Sequence, residues 1–271
     1  MGRAKTIARR TFLIGSAAIA GGVAFGTYID RRPAPNPLLD DLAEGEAGIT
    51  PYVRIDADGV TLITPHTDLG QGAYSMQAAL IAEELDIELD QVKVDPGRPS
   101  PAYYNTALAE ESAPFRSTDH SMIAESTRGV IDVLIKFLGM QMTGGSTSVP
   151  DSFEKLRKAG AVARETLKAA ASQQSGVPVA ELKTGKGAVQ LPDGSRLTYV
   201  KLAPIAASIR PVTQATLRDP TDWRLIVKPI KRHDIVAKST GTLPYGVDFQ
   251  MDGMLNAAVR LNPHQGGTLE S

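Results

Sequence analysis

The sequence predicts an α+β protein, and three observations carry that prediction. Two β-rich runs turn on Asp-Gly pairs, at 58–59 and 193–194, which is the short-range signature of a hairpin. Apolar or small residues at 153, 156, 160, 163, 167 and 170 fall on one face of a long helix. The composition, 42% hydrophobic and 22% charged, is that of an ordinary globular body rather than of a disordered chain or a solenoid.

Residues 1–29 stand apart from that body. Arg3, Lys5, Arg9 and Arg10 form a basic start, and an uncharged run rich in Ala and Gly follows from Thr11 to Ile29. A run of this length just suffices for a transmembrane anchor. A targeting signal fits better. Arg9-Arg10 followed by Thr-Phe-Leu resembles the twin-arginine export signal, whose apolar core is typically weak and Gly-containing. Ala18 to Ala20 offers a small-residue cleavage site. This reading implies a periplasmic protein that is exported already folded, with membrane anchoring by the N-terminus as the alternative to cleavage.

The body then reads in order. Residues 30–50 are a linker, with Pro33, Pro35, Pro37, Gly45 and Gly48. "PYVRIDADGVTLITP" is the first hairpin. A glycine-rich turn leads into a helix over 73–85, where Met76, Leu80, Ile81 and Leu85 share a face. "DQVKVDPG" is a short strand and turn, and residues 96–119 form a long loop. A second helix spans 121–138. The third and clearest starts at Asp151 as N-cap, with Glu154 three residues on as a variant capping box. "GAVQLPDGSRLTY" is the second hairpin, "VKLAPIAASI" a short helix, "TDWRLIVKPIKRHD" a connector, and residues 238–261 strands with turns. No internal repeat is visible.

Composition also excludes several function classes. A formal net charge of -1 gives no surface for nucleic acid. The absence of cysteine removes disulfides, a thiolate nucleophile and the ligands of iron–sulfur clusters, so any such cluster belongs to another chain. His66, His120, His233 and His264 have no paired spacing, so no protein metal site is expected.

Two loops could carry chemistry. Gly70-Gln71-Gly72 sits where a strand turns into a helix, so unpaired backbone N–H groups and open glycine backbone face whatever lies there. Gln71 adds a donor and an acceptor on one side chain. Alone, this three-residue pattern also reads as a plain turn, and it lacks the third glycine of the dinucleotide fingerprint. The second loop is Thr143, Gly144, Gly145, Ser146, Thr147 and Ser148, whose hydroxyls and N–H groups can meet phosphates just before the third helix. It has no P-loop lysine, which disfavours a nucleoside triphosphatase; the alternative is a flexible surface loop. Glu83-Glu84 and Glu110-Glu111 read as solvated surface charge, since adjacent residues do not face one another on a helix. Asp119-His120 lacks a nucleophile and a third orienting group. No catalytic residue is identified.

The order of these motifs resembles a known family. "GVTLITPHTDLGQGAYSMQAALIAEELDIELDQVKV" is similar to the glycine-glutamine-glycine segment of the molybdenum hydroxylases, the xanthine dehydrogenase and aldehyde oxidase superfamily, with Asp68-Leu69 in place of the usual Glu-Met. "TGGSTSV" resembles that superfamily's second Ser/Thr/Gly cofactor loop, likewise followed by an Ala-rich helix. Both stand ahead of "RHDIVAKSTGTLPYGVDFQMDGMLNAAV", which looks like the start of the α/β hammerhead domain. This permuted order, behind an export signal, is that of the large (beta) subunit of the isoquinoline 1-oxidoreductase type and related periplasmic aldehyde dehydrogenases.

The resemblance implies a division into a molybdopterin-binding segment, 51–222, and a connector with an incomplete hammerhead domain, 223–271. It implies that Gln71 hydrogen-bonds the cofactor, that Gly70 and Gly72 allow its approach, and that Gly144, Gly145, Ser146, Thr147 and Ser148 line the pterin or its phosphates. The cofactor would be molybdopterin in its cytosine dinucleotide form. The chemistry would be hydroxylation of N-heterocycles or oxidation of aldehydes, with water as oxygen source and a small [2Fe–2S] subunit as electron partner. Family members run well beyond 271 residues, and no residue here matches their catalytic Glu. The chain therefore reads as the N-terminal part of such a subunit, whether a gene fragment, a truncated and inactive protein or one piece of a split subunit completed by another chain; the alternative is an exported non-catalytic binding remnant of the fold.

Overall fold

The computed structural model describes residues 21–267. The twin-arginine motif and the Ala18–Ala20 site lie outside that range. The chain divides into two units between His233 and Asp234, and each is described by itself.

In the first unit, a sheet of four strands runs in the order β1 (Ala47–Thr50), β2 (Val53–Asp56), β3 (Gly59–Ile63), β4 (Val92–Asp95). The expected Asp58-Gly59 hairpin joins β2 and β3, pairing Asp56 with Gly59 and Val53 with Leu62. β4 pairs with β3 in parallel, which requires a crossover. That crossover is α1 (Ala73–Leu85), so the glycine-glutamine-glycine turn occupies the β-to-α junction of a βαβ unit. β1 is a correction to the sequence reading, because it forms inside the Pro- and Gly-rich stretch 30–50 read as a linker. Its four residues are all buried and pair with β2, since an otherwise open β2 edge accepts any extended neighbour.

The helices are α2 (Leu108–Ser112), α3 (Met122–Leu138), α4 (Ser148–Ser175) and α5 (Tyr199–Ser208), with residues 21–31 also helical. Ser121 caps α3 by accepting from Ala124 N–H. β5 (Lys183–Gly185), β6 (Ala188–Gln190) and β7 (Arg196–Thr198) form a second, antiparallel sheet around the expected Asp193-Gly194 turn. α1 and α4 are each other's principal packing partners, and one core runs through Ile55, Leu62, Ile81, Leu85, Leu156, Leu167 and Leu202. Segregated sheets and helices of this kind are the α+β class that the sequence predicts.

The predicted apolar face of α4 is the buried one, through Leu156, Gly160, Ala163, Leu167 and Ala170. Gly160 lets the two helices touch at backbone level: a Cβ there would collide with the Ile81 carbonyl oxygen and lie 3.1 Å from Glu84 Cβ. Gly160→Ala gains about 1 kcal/mol of helix propensity but forces the helices apart. The expected net loss is about 1–3 kcal/mol, read as a lowered urea midpoint at unchanged slope.

α4 begins earlier than the sequence suggests. Its N-cap is Thr147 rather than Asp151, and the Asp151 carboxylate is committed to other partners, described below. Glu154 pairs instead with Lys158 at 2.9 Å.

In the second unit, α6 (Ile235–Thr240) ends at Gly241 and a 3-10 turn spans Gly246–Asp248. The sequence predicts strands over 238–261, and none forms among the described residues. A strand needs a partner edge, and nothing in this segment supplies one.

Candidate functional site

The first loop is built by Asp68. Its carboxylate accepts from Gly70 N–H at 2.7 Å and from Tyr74 N–H at 3.1 Å, so one side chain closes the turn and caps the first turn of α1. Gly70 and Gly72 take φ of +111° and +86°, the region glycine reaches at least cost. A Cβ on either would meet no atom within 4 Å, so both face open space. The Gln71 side chain folds back on its own loop, accepting from Leu69 N–H and donating to Thr67 O at 3.0 Å. Arg232 clamps the loop from outside, donating to Gly70 O at 2.9 Å and pairing with Asp68 at 3.2 Å.

In the second loop, Gly145 and Ser146 are both left-handed, at φ +57° and +58°. Thr147 is buried, unlike its neighbours. Its hydroxyl donates to Gly144 O at 2.6 Å and accepts from Asn105 Nδ2 at 2.8 Å. It therefore holds the loop's shape from within. Ser148 opens α4.

The structure brings these two loops together. Thr143 Oγ1 accepts from Thr67 N–H at 2.9 Å and lies 3.3 Å from His66 Nδ1. Beneath this junction is a buried polar hub that the sequence reading missed. His66 Nε2 lies 2.8 Å from Asp151 Oδ2. The other Asp151 oxygen accepts from Thr106 N–H and Oγ1, both at 2.7 Å, and from Lys155 Nζ at 2.5 Å. Gln77, fully buried on α1, brackets the His66 backbone by accepting from its N–H at 3.0 Å and donating to its carbonyl at 2.9 Å. Burial acts to raise the Asp151 carboxyl, but the His66 hydrogen bond and Lys155 outweigh it and hold it at about 2. Lys155 is pushed down by burial, against the pull of Asp151. The one available signal was a lone His immediately before the loop, together with an Asp at the start of α4; without the fold, nothing pairs them.

The donor set fits an anionic or polar ligand such as a pterin bearing phosphates. Among the described residues, the N–H groups of Gln71, Gly72, Gly145 and Ser146 make no hydrogen bond, and neither do the hydroxyls of Ser146 and Ser148. Such unpaired donors at a β-to-α turn and at a helix start are what an anion needs. On its Thr106 side, Asp151 opens on a separate cleft of about 950 Å³ lined by Tyr52, Tyr104, Lys136 and Lys158, among others. That cleft includes none of the eight residues predicted to bind cofactor. No group of three or more potential metal ligands occurs among the described residues.

The fold and these loops together define an α+β body whose two glycine turns meet at one junction. Comparison with known proteins gives that body relatives. The chain is 29% identical over 297 aligned residues to the beta subunit of isoquinoline 1-oxidoreductase of Brevundimonas diminuta, covering 96% of this chain and 34% of that one. It is 29% identical over 217 residues to a nicotinate dehydrogenase subunit of Pseudomonas putida, covering 79% and 15%. It is 24% identical over 277 residues to membrane-bound aldehyde dehydrogenase [pyrroloquinoline-quinone] of Gluconacetobacter polyoxogenes, covering 97% and 30%. No family model matches the chain. The resemblance to large subunits of the isoquinoline 1-oxidoreductase type is thereby shown along nearly the whole chain, which spans about a third or less of the length of these relatives.

Proposed function

We propose that this chain forms part of the large subunit of a molybdopterin-dependent oxidoreductase acting on N-heterocycles or aldehydes. The observation that carries the proposal is the Thr143–Thr67 hydrogen bond. It sets the two loops named by the resemblance side by side, although they lie 76 residues apart. Gln71, Gly145, Ser146 and Ser148 would hold the cofactor, in its cytosine dinucleotide form, with Gly70 and Gly72 giving it room and Thr147 shaping the second loop from within. When bound, that group supplies the hydroxylation chemistry, with water as the oxygen source. This chain's residues bind and orient it. Their backbone amides offer donors that need no reorganisation, which is how a rigid scaffold favours a charged group.

In this reading residues 51–222 belong to the cofactor-binding domain and residues 223–271 open the hammerhead domain, whose strands form on pairing with further chain. A small [2Fe–2S] subunit takes the electrons, and the assembly is periplasmic after twin-arginine export.

The test is to produce the chain together with the remainder of the large subunit and the small subunit, and to measure molybdenum, pterin and pyrroloquinoline quinone in the purified complex. Molybdenum and pterin at one per complex are expected. Quinone in their place would contradict the proposal. Gln71→Ala should leave folding stability within about 0.5 kcal/mol, as expected for an exposed side chain. It should weaken pterin retention about tenfold, the worth of one hydrogen bond. Unchanged retention would remove Gln71 from the site.

A further inference from the structure

α3 turns Ala124, Arg128 and Ile135 inward, and its opposite face is apolar and largely exposed. Ile123, Val130, Leu134 and Phe137 are between 53% and 71% exposed, at spacings of seven, four and three that place them in one stripe. Contiguous exposed apolar surface of this kind marks an interaction site rather than ordinary scatter. The helical segment 21–31 lies against the same face. Phe25 meets Phe137 edge-on with ring centroids 5.5 Å apart, and Lys136 Nζ donates to Asp30 O at 2.5 Å. The groove between the two helices, about 600 Å³, is lined by Gly26, Gly129, Val133 and Leu134 among others. The segment itself exposes Val23, Phe25 and Tyr28.

Two observations name the occupant. The segment 21–31 continues the uncharged run of residues 11–29, so α3 rests directly beside it. Both flanks of that run are cationic, with Arg3, Lys5, Arg9 and Arg10 ahead and Arg31 and Arg32 behind. The acid lining the groove is Asp30 at the end of the segment, followed directly by Arg31 and Arg32; Glu125 and Asp132 of α3 fall on the side away from the stripe, Glu125 tied to His120 at 2.9 Å and Arg128 at 3.1 Å. No helix among the described residues is long and apolar enough to cross a membrane. We propose that segment 21–31 and the exposed stripe of α3 together form a face that lies on an anionic lipid bilayer, apolar residues in the acyl boundary and arginines at the headgroups. This goes beyond the oxidoreductase reading and does not depend on it.

The test is flotation of the full chain with vesicles of phosphatidylglycerol and phosphatidylethanolamine. The parent chain should float. A Val130→Glu/Leu134→Glu double variant should float about tenfold less, with an unchanged far-ultraviolet circular dichroism spectrum. Because the chain has no cysteine, Leu134→Cys labelled with an environment-sensitive dye gives a second measurement, and its emission should shift to the blue on adding vesicles. Failure of the parent to float, equal flotation of the double variant, or no spectral shift would each overturn the proposal. A lipid-free dimer that the double variant dissolves, or a complex with the remainder of the large subunit that it abolishes, would also overturn it, by showing that protein covers the face.

Discussion

Replacing Glu83 with alanine is expected to cost about 3–5 kcal/mol of folding stability, the range for breaking a buried ion pair by removing one partner. Glu83 is fully buried. One of its oxygens accepts from the N–H groups of Arg224, Leu225 and Ile226, at 2.8, 2.5 and 3.2 Å. The other faces Arg218 Nε at 3.4 Å. Its neighbour Glu84 holds Arg157 at 2.8 Å and Arg164 at 3.3 Å, and accepts from Arg218 N–H at 2.9 Å. Residues 218–226 are thus a strap tied to the C-terminal end of α1 by two carboxylates. The Glu83 variant leaves three amides without their acceptor, each a costly orphan, and removes the charge facing Arg218. Glu111→Ala, an exposed side chain on α2, should change stability by no more than about 0.5 kcal/mol. Urea denaturation of both variants measures the contrast, and similar values for the two would disprove the strap's role.

Asp151→Asn is the second large effect. The amide keeps the volume but removes the counter-charge of buried Lys155 and offers donors where Thr106 and Lys155 already donate. The expected loss is about 3–5 kcal/mol. The same carboxyl fixes an acid dependence. Its folded value of about 2 lies below the ordinary 3.8, so its contribution is fully present above the unfolded value and is lost as pH falls through the folded one. The pH window is therefore roughly 4 down to 2, and the size about 2–3 kcal/mol at about 1.4 kcal/mol per unit. Urea midpoints of the parent chain at pH 6, 4 and 3 should show the onset of that loss, and those of Asp151→Asn should lack it. Equal acid sensitivity in the two would assign the loss to other carboxylates.

These two results also mark where sequence reasoning stops. Local pattern reveals local structure: Asp58-Gly59 and Asp193-Gly194 give hairpins, and the spacing of Leu156, Ala163 and Leu167 gives the buried face of α4. Periodicity cannot show what later chain returns to cover a helix. Glu83-Glu84 and Glu110-Glu111 look alike in sequence, yet the first pair is enclosed by a strap from residues 218–226 and the second is left in solvent. β1 was hidden for the same reason, since its strand character comes from the free edge of β2 rather than from its own Gly-containing sequence. At the candidate site, both glycine loops were legible because glycines at element junctions are local signals. The His66–Asp151 pair that stands beneath their junction spans 85 residues and was not.

The central claim is that the two loops form one cradle and hold a single ligand. The most direct test is amide hydrogen exchange on the purified complex with and without bound pterin. The N–H groups of Gln71, Gly72, Gly145 and Ser146 have no partner among the described residues and should exchange fast when the cofactor is absent. All four should become protected together when it is bound. Protection confined to one loop, with the other exchanging at its cofactor-free rate in the loaded complex, would contradict the account.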